Sequence, residues 1–344
     1  MSECFLVTGG TGYIGSHVCA LLLAAGRDVV ILDDLSNSSA DVPERLESIS
    51  GRKPLFYCGD VRDAARLAEI VSAHKPEYVL HFAGLKAVGE SGRNPLAYYD
   101  VNVGGTITLL RVLQRYGIRR FVFSSSATVY APDAVMPLTE ESPLGPYNPY
   151  GRTKYTVERV LLDLAAGDPS WRVALLRYFN PVGAHASGLL GEKPQGEPNN
   201  LMPRLCAAAA GATPPLTVFG TDYPTRDGSG VRDYLHVTDL ALGHLRAVER
   251  LEQAAGVHTY NLGTGTGLSV LELIAAFQAA VGIAAPWTAC PRRAGDLAEY
   301  YSSPAKAERE LGWKAEKTAE DMCRDAWAFY LKAGCARNPD GESK

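Results

Sequence analysis

At 344 residues, with 46% hydrophobic and 21% charged residues, the chain is long enough for a substantial core and has an ordinary globular composition. A formal net charge of -4 argues against a general nucleic-acid-binding surface, and no apolar run approaches the roughly 18 residues of a membrane span. The seven cysteines are scattered, and the N-terminus carries no basic region or cleavage signal, so we expect a cytoplasmic protein with reduced thiols and no metal site.

Apolar segments of strand length alternate with amphipathic segments of helical length in the first half. The predicted strands are 4–8, 28–33, 55–58, 78–81, 121–125 and 173–177, and the predicted helices are 12–25, 64–73, 95–116 and 149–166. This alternation predicts an α/β fold with a doubly wound, parallel, Rossmann-like sheet. The alternation breaks near residue 180, after which a segment rich in Gly, Pro and Asn precedes mixed helices and short strands. We therefore predict a dinucleotide-binding domain at 1–180 and a smaller α/β lobe at 181–344, with a frayed tail from about residue 334.

The first predicted strand leads into a glycine-rich turn, Gly9-Gly10-Thr11-Gly12-Tyr13-Ile14-Gly15, and then a helix. Glycine allows a tight turn and a close approach of the backbone to a pyrophosphate, which then lies at the helix N-terminus. Asp33 and Asp34 end the second strand about 20 residues later, where a carboxylate binds ribose hydroxyls and repels a 2′-phosphate. This combination predicts NAD, rather than NADP, as the cofactor.

Further candidate residues follow the third and fourth predicted strands at the same sheet edge. Asp60-Val61 follows the third strand, where it can border the adenine or form a surface turn. Small residues in Phe82-Ala83-Gly84 let the backbone approach a cofactor, while His81 before them is better explained as a packed histidine. Lys86 can reach a phosphate, although a solvated lysine explains it almost as well.

The fifth predicted strand ends in Ser124-Ser125-Ser126, and the next helix starts with Asn148 as its N-cap. Tyr150 and Lys154, four residues apart, lie on one face of that helix. These side chains suit alcohol–ketone chemistry. Tyr150 accepts a hydroxyl proton, Ser126 hydrogen-bonds the same oxygen, and Lys154 with a positive nicotinamide lowers the tyrosine pKa from about 10. A packed Tyr–Lys pair is the alternative explanation, and the glycine turn favours catalysis over it.

The chain resembles the extended short-chain dehydrogenase/reductase family, and within it the UDP-glucose 4-epimerases, over roughly residues 3–332. The segments that carry the resemblance are 9–17, 81–91, 124–130, 150–154, 177–181, 198–203, 230–234 and 291–296. The resemblance implies that UDP-galactose and UDP-glucose are interconverted through a transient 4-keto sugar, as in galactose metabolism. It implies that Tyr150 takes the O4 proton while tightly bound NAD accepts a hydride from C4. The sugar then presents its other face, the hydride returns to C4 from that side, and the proton returns to O4. It also implies a homodimer that pairs helices 95–116 and 149–166, and packing of their apolar residues against the chain's own sheet is the alternative.

The resemblance implies a full set of binding residues. The cofactor set is Gly9, Gly12, Tyr13, Ile14, Gly15, Asp33, Asp34, Asn37, Ser38, Asp60, Val61, Phe82, Ala83, Gly84, Lys86, Asn102, Ser124, Tyr150, Lys154, Tyr178 and Phe179. The UDP-sugar set is Lys86, Ser126, Tyr150, Asn180, Asn200, Leu201, Thr217, Phe219, Arg232, Tyr234, Arg293, Asp296 and Tyr300. Within it, two guanidinium groups suit phosphate oxygens, and Phe219 suits uracil. An Arg232–Asp233 surface ion pair and a core Phe219 are the alternatives.

Three positions of this family bear on which sugars react and on which reaction they undergo. Tyr300, a large side chain, stands where a large residue goes with exclusion of N-acetylated sugars, so UDP-N-acetylhexosamines are predicted to be poor substrates. Ala127 and Thr128 stand where the dehydratases carry an acidic pair, which disfavours dehydration. Another nucleotide-sugar epimerase, a decarboxylase and a non-catalytic NAD-sensing module remain as alternatives. The last has no need of the serine, tyrosine and lysine together.

Overall fold

The computed structural model describes residues 3–196, 198, 200–293 and 295–334. The tail that was predicted to fray lies outside this part of the chain except for its first residue. Asn199 and Ala294, which belong to two of the segments that carry the resemblance, also lie outside it. In chain order the strands are β1 Cys4–Thr8, β2 Asp28–Asp33, β3 Leu55–Cys58, β4 Tyr78–His81, β5 Arg120–Ser124, β6 Arg172–Tyr178, β7 Asn180–Val182, β8 Leu216–Phe219, β9 Val231–Arg232, β10 Tyr234–His236, β11 Gly256–Leu262, β12 Leu268–Ser269, β13 Trp287–Cys290 and β14 Glu299–Tyr300. The helices are α1 Tyr13–Ala24, α2 Val42–Ser50, α3 Ala64–His74, α4 Val88–Arg93, α5 Pro95–Tyr98, α6 Thr106–Arg115, α7 Pro149–Gly167, α8 Leu201–Ala209, α9 Val237–Gln253, α10 Val270–Val281, α11 Ala305–Leu311 and α12 Ala319–Lys332.

A seven-stranded parallel sheet in the order β3-β2-β1-β4-β5-β6-β11 confirms the predicted Rossmann-like architecture. The strands β1, β2, β4, β5 and β6 are largely buried on both sides because helices cover both faces of the sheet. One hydrophobic core lies under α1, α2 and α9, and a second lies under α3, α6 and α7. The strand order reverses between β1 and β4, so a crevice opens at their carboxyl ends, where such sheets bind ligands.

The second half of the chain contributes to this sheet as well as to the smaller lobe. Helix α9 packs against α1, and β11 pairs with β6 along its whole length. The predicted boundary at residue 180 therefore leaves α9 and β11 outside the domain whose sheet they complete. Whether the two parts fold as separate domains stays a prediction. The sequence did not predict β11, Gly256–Leu262, because this strand contains His258, Thr259 and Asn261 and lacks a continuous apolar run.

The predicted helix 95–116 is interrupted. Helices α5 and α6 are joined by a π-helical segment, Tyr99–Gly105, whose wider turn redirects the side chains that follow. A Cβ atom on Gly105 would lie 2.6 Å from Val61 Cγ1, so only glycine allows this segment to pass so close to the end of β3. The periodicity of apolar residues continues through the segment, which is why the sequence predicted one uninterrupted helix.

The smaller lobe has its own core, in which Met202, Leu205 and Phe277 are buried between α8, α10 and α12. Three short sheets support it: β7 with β10, β8 with β13, and β9 between β12 and β14. None of the six cysteines in the described part of the chain forms a disulfide. Of the helices that the structure describes, none combines the length and the apolar character needed to cross a membrane.

Candidate functional site

A cavity of about 760 Å³ lies at the carboxyl ends of β1, β2 and β4 and extends to the start of α7. The predicted residues that line it are Gly9, Gly12, Tyr13, Ile14, Gly15, Asp33, Asp34, Asn37, Ser38, Asp60, Val61, Phe82, Ala83, Gly84, Lys86, Ser126, Tyr150, Lys154, Tyr178, Phe179, Asn180 and Asn200. The volume lies within the range of ligand and cofactor sites. The cavity thus brings most of the predicted cofactor residues together with the predicted catalytic residues.

The glycine turn is packed so closely that side chains are excluded from it. A Cβ atom on Gly15 would lie 2.3 Å from the Gly9 carbonyl oxygen. Gly9 has a φ of 74°, and a Cβ atom there would lie 2.6 Å from the amide nitrogen of Ala83. Helix α1 begins directly after the turn, with its first amide groups at the cavity. This arrangement fits the pyrophosphate of a dinucleotide, which needs close backbone approach and the amide groups of a helix N-terminus.

Asp33 provides a fixed, buried carboxylate at one end of the cavity. Its oxygens accept hydrogen bonds from the Thr11 amide at 3.1 Å, the Leu35 amide at 2.9 Å and the Ser38 hydroxyl at 3.0 Å. Asp34, by contrast, is exposed and accepts from Ser36. The buried carboxylate suits ribose hydroxyl groups and would repel a 2′-phosphate, which fits NAD better than NADP.

The start of α7 brings Tyr150 and Lys154 next to the end of β5. The Asn148 side chain caps the helix by accepting from the Gly151 amide at 2.8 Å, as the sequence predicts. A Cβ atom on Gly151 would lie 2.5 Å from the Thr128 carbonyl oxygen, so glycine lets the helix approach the turn that carries Ser126. Lys154 Nζ donates to the Ser124 carbonyl oxygen at 2.8 Å and lies 6.0 Å from the centre of the Tyr150 ring.

Burial shifts the pKa values of both Tyr150 and Lys154. Burial raises the pKa of Tyr150 to about 12, and a hydrogen bond with Ser126 opposes this rise. Burial lowers the pKa of Lys154 to about 8, and the charge of Glu158 opposes that change. Among the protein's own groups, burial dominates the phenol and the Lys154 ammonium group binds the Ser124 carbonyl, so the predicted lowering of the Tyr150 pKa depends on the positive charge of the nicotinamide.

Two predicted cofactor residues lie behind the cavity wall and support it. Asn102 accepts from the Leu85 amide at 2.7 Å and donates to the Leu85 carbonyl at 3.0 Å and to Thr153 Oγ1 at 3.0 Å. Ser124 donates from its hydroxyl to the Tyr178 hydroxyl at 3.0 Å. Neither side chain lines the cavity, so both hold residues that do.

His81 is a packed histidine, as expected. Its ring nitrogens hydrogen-bond the hydroxyl groups of Thr8 at 2.6 Å and Thr106 at 2.8 Å. Burial lowers the pKa of His81 to about 3, so the imidazole is neutral near neutral pH. Both of its nitrogens are thus engaged within the protein, and it takes no part in the site.

A second cluster, outside the cavity, contains the residues predicted for the UDP group of the substrate. The Arg293 guanidinium carbon lies 4.1 Å from the centre of the Phe219 ring, and Asp296 lies 3.6 Å from Arg293 and 3.9 Å from Arg232. Arg232 therefore faces Asp296 rather than Asp233, whose buried carboxylate accepts from Thr264 and Ser302. Of the remaining predicted residues, Leu201 starts α8, Thr217 lies in β8 and Tyr234 is buried in β10.

Tyr300 connects this second cluster to the cavity. Its hydroxyl donates to the Ala127 carbonyl at 2.6 Å, next to Ser126, and its ring lies 5.8 Å from that of Phe179. The neighbouring Tyr301 points elsewhere, since a Cβ atom on Gly267 would lie 3.3 Å from its ring. Tyr300, and not Tyr301, is thus the tyrosine beside the candidate catalytic residues.

The loop between β7 and α8 supplies cavity residues that the sequence analysis missed. The Gln195 amide group donates to the Ser38 carbonyl at 2.8 Å, and Arg45 donates to the Leu189 carbonyl at 3.2 Å, so this loop is attached across the cavity to the region after β2. Glu192 also lines the cavity and contacts Lys86. The Gly- and Pro-rich composition of 181–200 indicates a loop, but it gives no sign of where that loop packs. Within the described part of the chain, no group of three or more His, Cys, Asp or Glu side chains is placed to hold a metal ion.

Comparison with known proteins gives consistent matches over nearly the full length. The profile of the NAD dependent epimerase/dehydratase family matches residues 5–263. The UDP-glucose 4-epimerase of Bacillus subtilis is 52% identical over 94% of this chain and 96% of its own, and that of Haemophilus influenzae is 51% identical over 98% of both chains. Among solved structures, a UDP-glucose-4-epimerase from Stenotrophomonas maltophila with bound NAD and formylated UDP-arabinopyranose superposes with a TM-score of 0.95 and 50% identity, covering 97% of this chain and 99% of that one. A UDP-glucose 4-epimerase from Bifidobacterium longum in complex with NAD+ and UDP gives 0.93 and 48%, covering 99% and 100%.

Proposed function

Because the chain belongs to the NAD-dependent epimerase/dehydratase family, and within it to the UDP-glucose 4-epimerases, we propose that it interconverts UDP-galactose and UDP-glucose through Tyr150, Ser126 and Lys154. The enzyme class is isomerase and the cofactor is NAD. The observation that carries the residue assignment is the joining of these three side chains to the glycine turn in one cavity. Cofactor and proton-transfer groups thus share one cavity.

Tyr150 is the group that moves the proton in this proposal. NAD, when bound, supplies a reversible acceptor for the C4 hydride and a positive charge beside the phenol. The phenolate of Tyr150 removes the O4 proton and later returns it, after the sugar has presented its other face. Ser126, which already hydrogen-bonds Tyr150, holds O4 in line with the phenol oxygen. Lys154 binds the nicotinamide ribose, at a position that its bond to the Ser124 carbonyl fixes.

The diphosphate is held firmly in this proposal so that the hexose can turn over between the two half-reactions. Lys86, Asn180 and Asn200 line the cavity and offer an ammonium group and two amides to phosphate oxygens. The uridine lies towards the second cluster, where Phe219 presents an aromatic face to uracil and Arg232 and Arg293 present guanidinium groups to phosphate oxygens. The hexose itself receives few directional contacts, which the rotation requires.

The dehydratase alternative lacks a suitable acid at the relevant positions. Ala127 is buried and apolar, and the Thr128 hydroxyl donates to Ser126 at 2.9 Å. A hydroxyl group that is engaged in this way cannot protonate a departing hydroxyl of the sugar at neutral pH. Elimination of water therefore has no acid at the position where the dehydratases carry one.

The proposed function is tested by incubating the purified protein with UDP-galactose alone. We expect UDP-glucose to accumulate to an equilibrium mixture without any added reductant or oxidant, because the hydride is returned in each turnover. The same mixture should form from UDP-glucose. Formation of a dehydrated or decarboxylated sugar, or of no product at all, would contradict the proposal.

Tyr300→Ser is expected to raise kcat/KM for UDP-N-acetylglucosamine at least about tenfold, whereas the wild type should use this substrate poorly. The ring of Tyr300, fixed by its bond to the Ala127 carbonyl, occupies space beside Ser126 that an N-acetyl group would need. Initial rates with both UDP-hexoses measure the effect. Tyr301→Ser is the matched control, because Tyr301 lies against Gly267. Wild-type turnover of UDP-N-acetylglucosamine as fast as that of UDP-glucose would refute the prediction.

A homodimer stays a prediction, and one surface feature supports it. Leu96 on α5 is 80% exposed, and Tyr99, three residues later in the chain, is also exposed. Helix α5 packs beside α7, so these apolar side chains lie near both helices that the family resemblance assigns to a dimer interface. Burial of such side chains against a second copy would stabilise the pair.

A further inference from the structure

Glu192 forms a link across the cavity that the proposed mechanism does not use. One carboxylate oxygen, Oε1, accepts from Lys86 Nζ at 2.7 Å and from Asn200 Nδ2 at 2.6 Å. Lys86 follows β4 in the sheet domain, while Glu192 and Asn200 belong to the loop between β7 and α8. The Glu192 side chain is only 8% exposed, although that of Lys86 is 47% exposed. A nearly buried carboxylate thus holds one donor from each side of the cavity.

The two donors are those that the proposed function assigns to the substrate diphosphate. A carboxylate oxygen and a phosphate oxygen accept the same kind of charge-assisted hydrogen bond from an ammonium group and have similar requirements of an amide. Glu192 therefore occupies the position that a phosphate oxygen would take between Lys86 and Asn200. The Glu192 carboxylate also places a negative charge close to the proposed position of the dianionic diphosphate, and these like charges repel each other.

We propose that Glu192 is a specificity-determining residue, which holds Lys86 and Asn200 in position and gives them up when the diphosphate of the substrate binds. This inference rests on the proposed function, since that function supplies the diphosphate. The Glu192 carboxylate also orders a flexible lysine and an exposed asparagine before binding, and we expect this gain to be smaller than the cost of breaking its two hydrogen bonds and of the charge repulsion. Breaking its two bonds consumes part of the binding energy, so only ligands with a strongly anionic group displace it.

A purely structural ion pair would give the opposite result on mutation. If Glu192 only held the loop in place, its loss would loosen Asn200 and weaken nucleotide binding. If it competes with the diphosphate, its loss frees Lys86 and Asn200 and strengthens binding. The direction of the change in affinity therefore distinguishes the two roles.

The experiment measures the dissociation constant of UDP for the NAD-loaded wild type, Glu192→Gln and Glu192→Ala by titration calorimetry. We expect UDP to bind about three- to tenfold more tightly to both variants. KM for UDP-glucose should fall in parallel, with kcat within about twofold of the wild type. Glu249→Gln is the matched control, because Glu249 pairs with Arg246 on the exposed side of α9 and should leave both quantities unchanged.

Three outcomes are informative. Tighter binding by either folded variant supports the inference. Unchanged or weaker binding of UDP by the variants, with normal binding by the wild type, overturns the role of Glu192 and leaves the proposed function intact. Failure of the wild type to bind UDP contradicts the proposed function and this inference with it.

Discussion

Tyr150→Phe is expected to lower kcat for the conversion of UDP-galactose by about a thousandfold, within the range that general acid–base groups contribute. The substitution removes one oxygen atom, the atom that exchanges the O4 proton in both half-reactions. The ring remains, so the packing of this side chain, which is 7% exposed, should be retained. KM should change little, because the diphosphate contacts lie elsewhere in the cavity. Initial-rate assays in both directions measure the effect.

The matched control is Tyr155→Phe, on the same helix. Tyr155 is only partly buried and packs against the small cluster around Tyr130, outside the cavity. Its loss of a hydroxyl should leave kcat within about twofold of the wild type. Retained NAD and an unchanged melting temperature in Tyr150→Phe would show that the folded state is intact. A Tyr150→Phe enzyme with more than about a tenth of the wild-type activity would show that another group transfers the proton.

The sheet was predictable from sequence because its physical signals are local. Buried parallel strands are continuous apolar runs, and each predicted boundary of β1 to β6 lies within one residue of the observed one. Strand β11 was not predictable in this way, because its polar residues interrupt the apolar run that marks the other strands. The π-helical segment Tyr99–Gly105 also preserves the local apolar pattern while shifting the register, so no periodicity argument reveals it.

The site residues, like the strands, were predictable where the signal is local and were not predictable where it depends on the whole fold. Residues in the glycine turn and at strand ends were placed correctly in the cavity because the fold dictates where strand ends meet. Asn102 and Ser124 have suitable chemistry, and only the three-dimensional structure shows that their polar groups are occupied by Leu85, Thr153 and Tyr178. Glu192 was missed because a single acidic residue in a loop carries no pattern. The rise in the Tyr150 pKa was missed because burial depends on the whole fold.

A buried ion pair lies directly beneath the candidate catalytic residues. Arg177 donates from Nε to Glu158 Oε1 at 3.0 Å and from Nη2 to Oε2 at 2.7 Å, and the two side chains are 5% and 1% exposed. Glu158 also accepts from the hydroxyl of Ser125, the neighbour of Ser126. Glu158 lies one turn after Lys154 on α7, so the ion pair fixes the helix to β6 and the hydrogen bond from Ser125 fixes it to the end of β5.

Glu158→Ala is expected to lower the free energy of unfolding by about 3–5 kcal/mol, because it leaves the Arg177 guanidinium buried without its anion. The double variant Glu158→Leu/Arg177→Met removes both charges and should recover most of this loss, since apolar replacements of a buried pair are often neutral. The exposed pair of Arg246 and Glu249 provides the control, and Glu249→Ala should cost about 1 kcal/mol or less. Urea unfolding at one fixed NAD concentration gives all three values on a common scale, because bound cofactor adds the same stabilisation to each protein that binds it equally. A loss of less than about 1 kcal/mol in Glu158→Ala, or a double variant less stable than the single one, would show that the pair does not anchor α7 in this way.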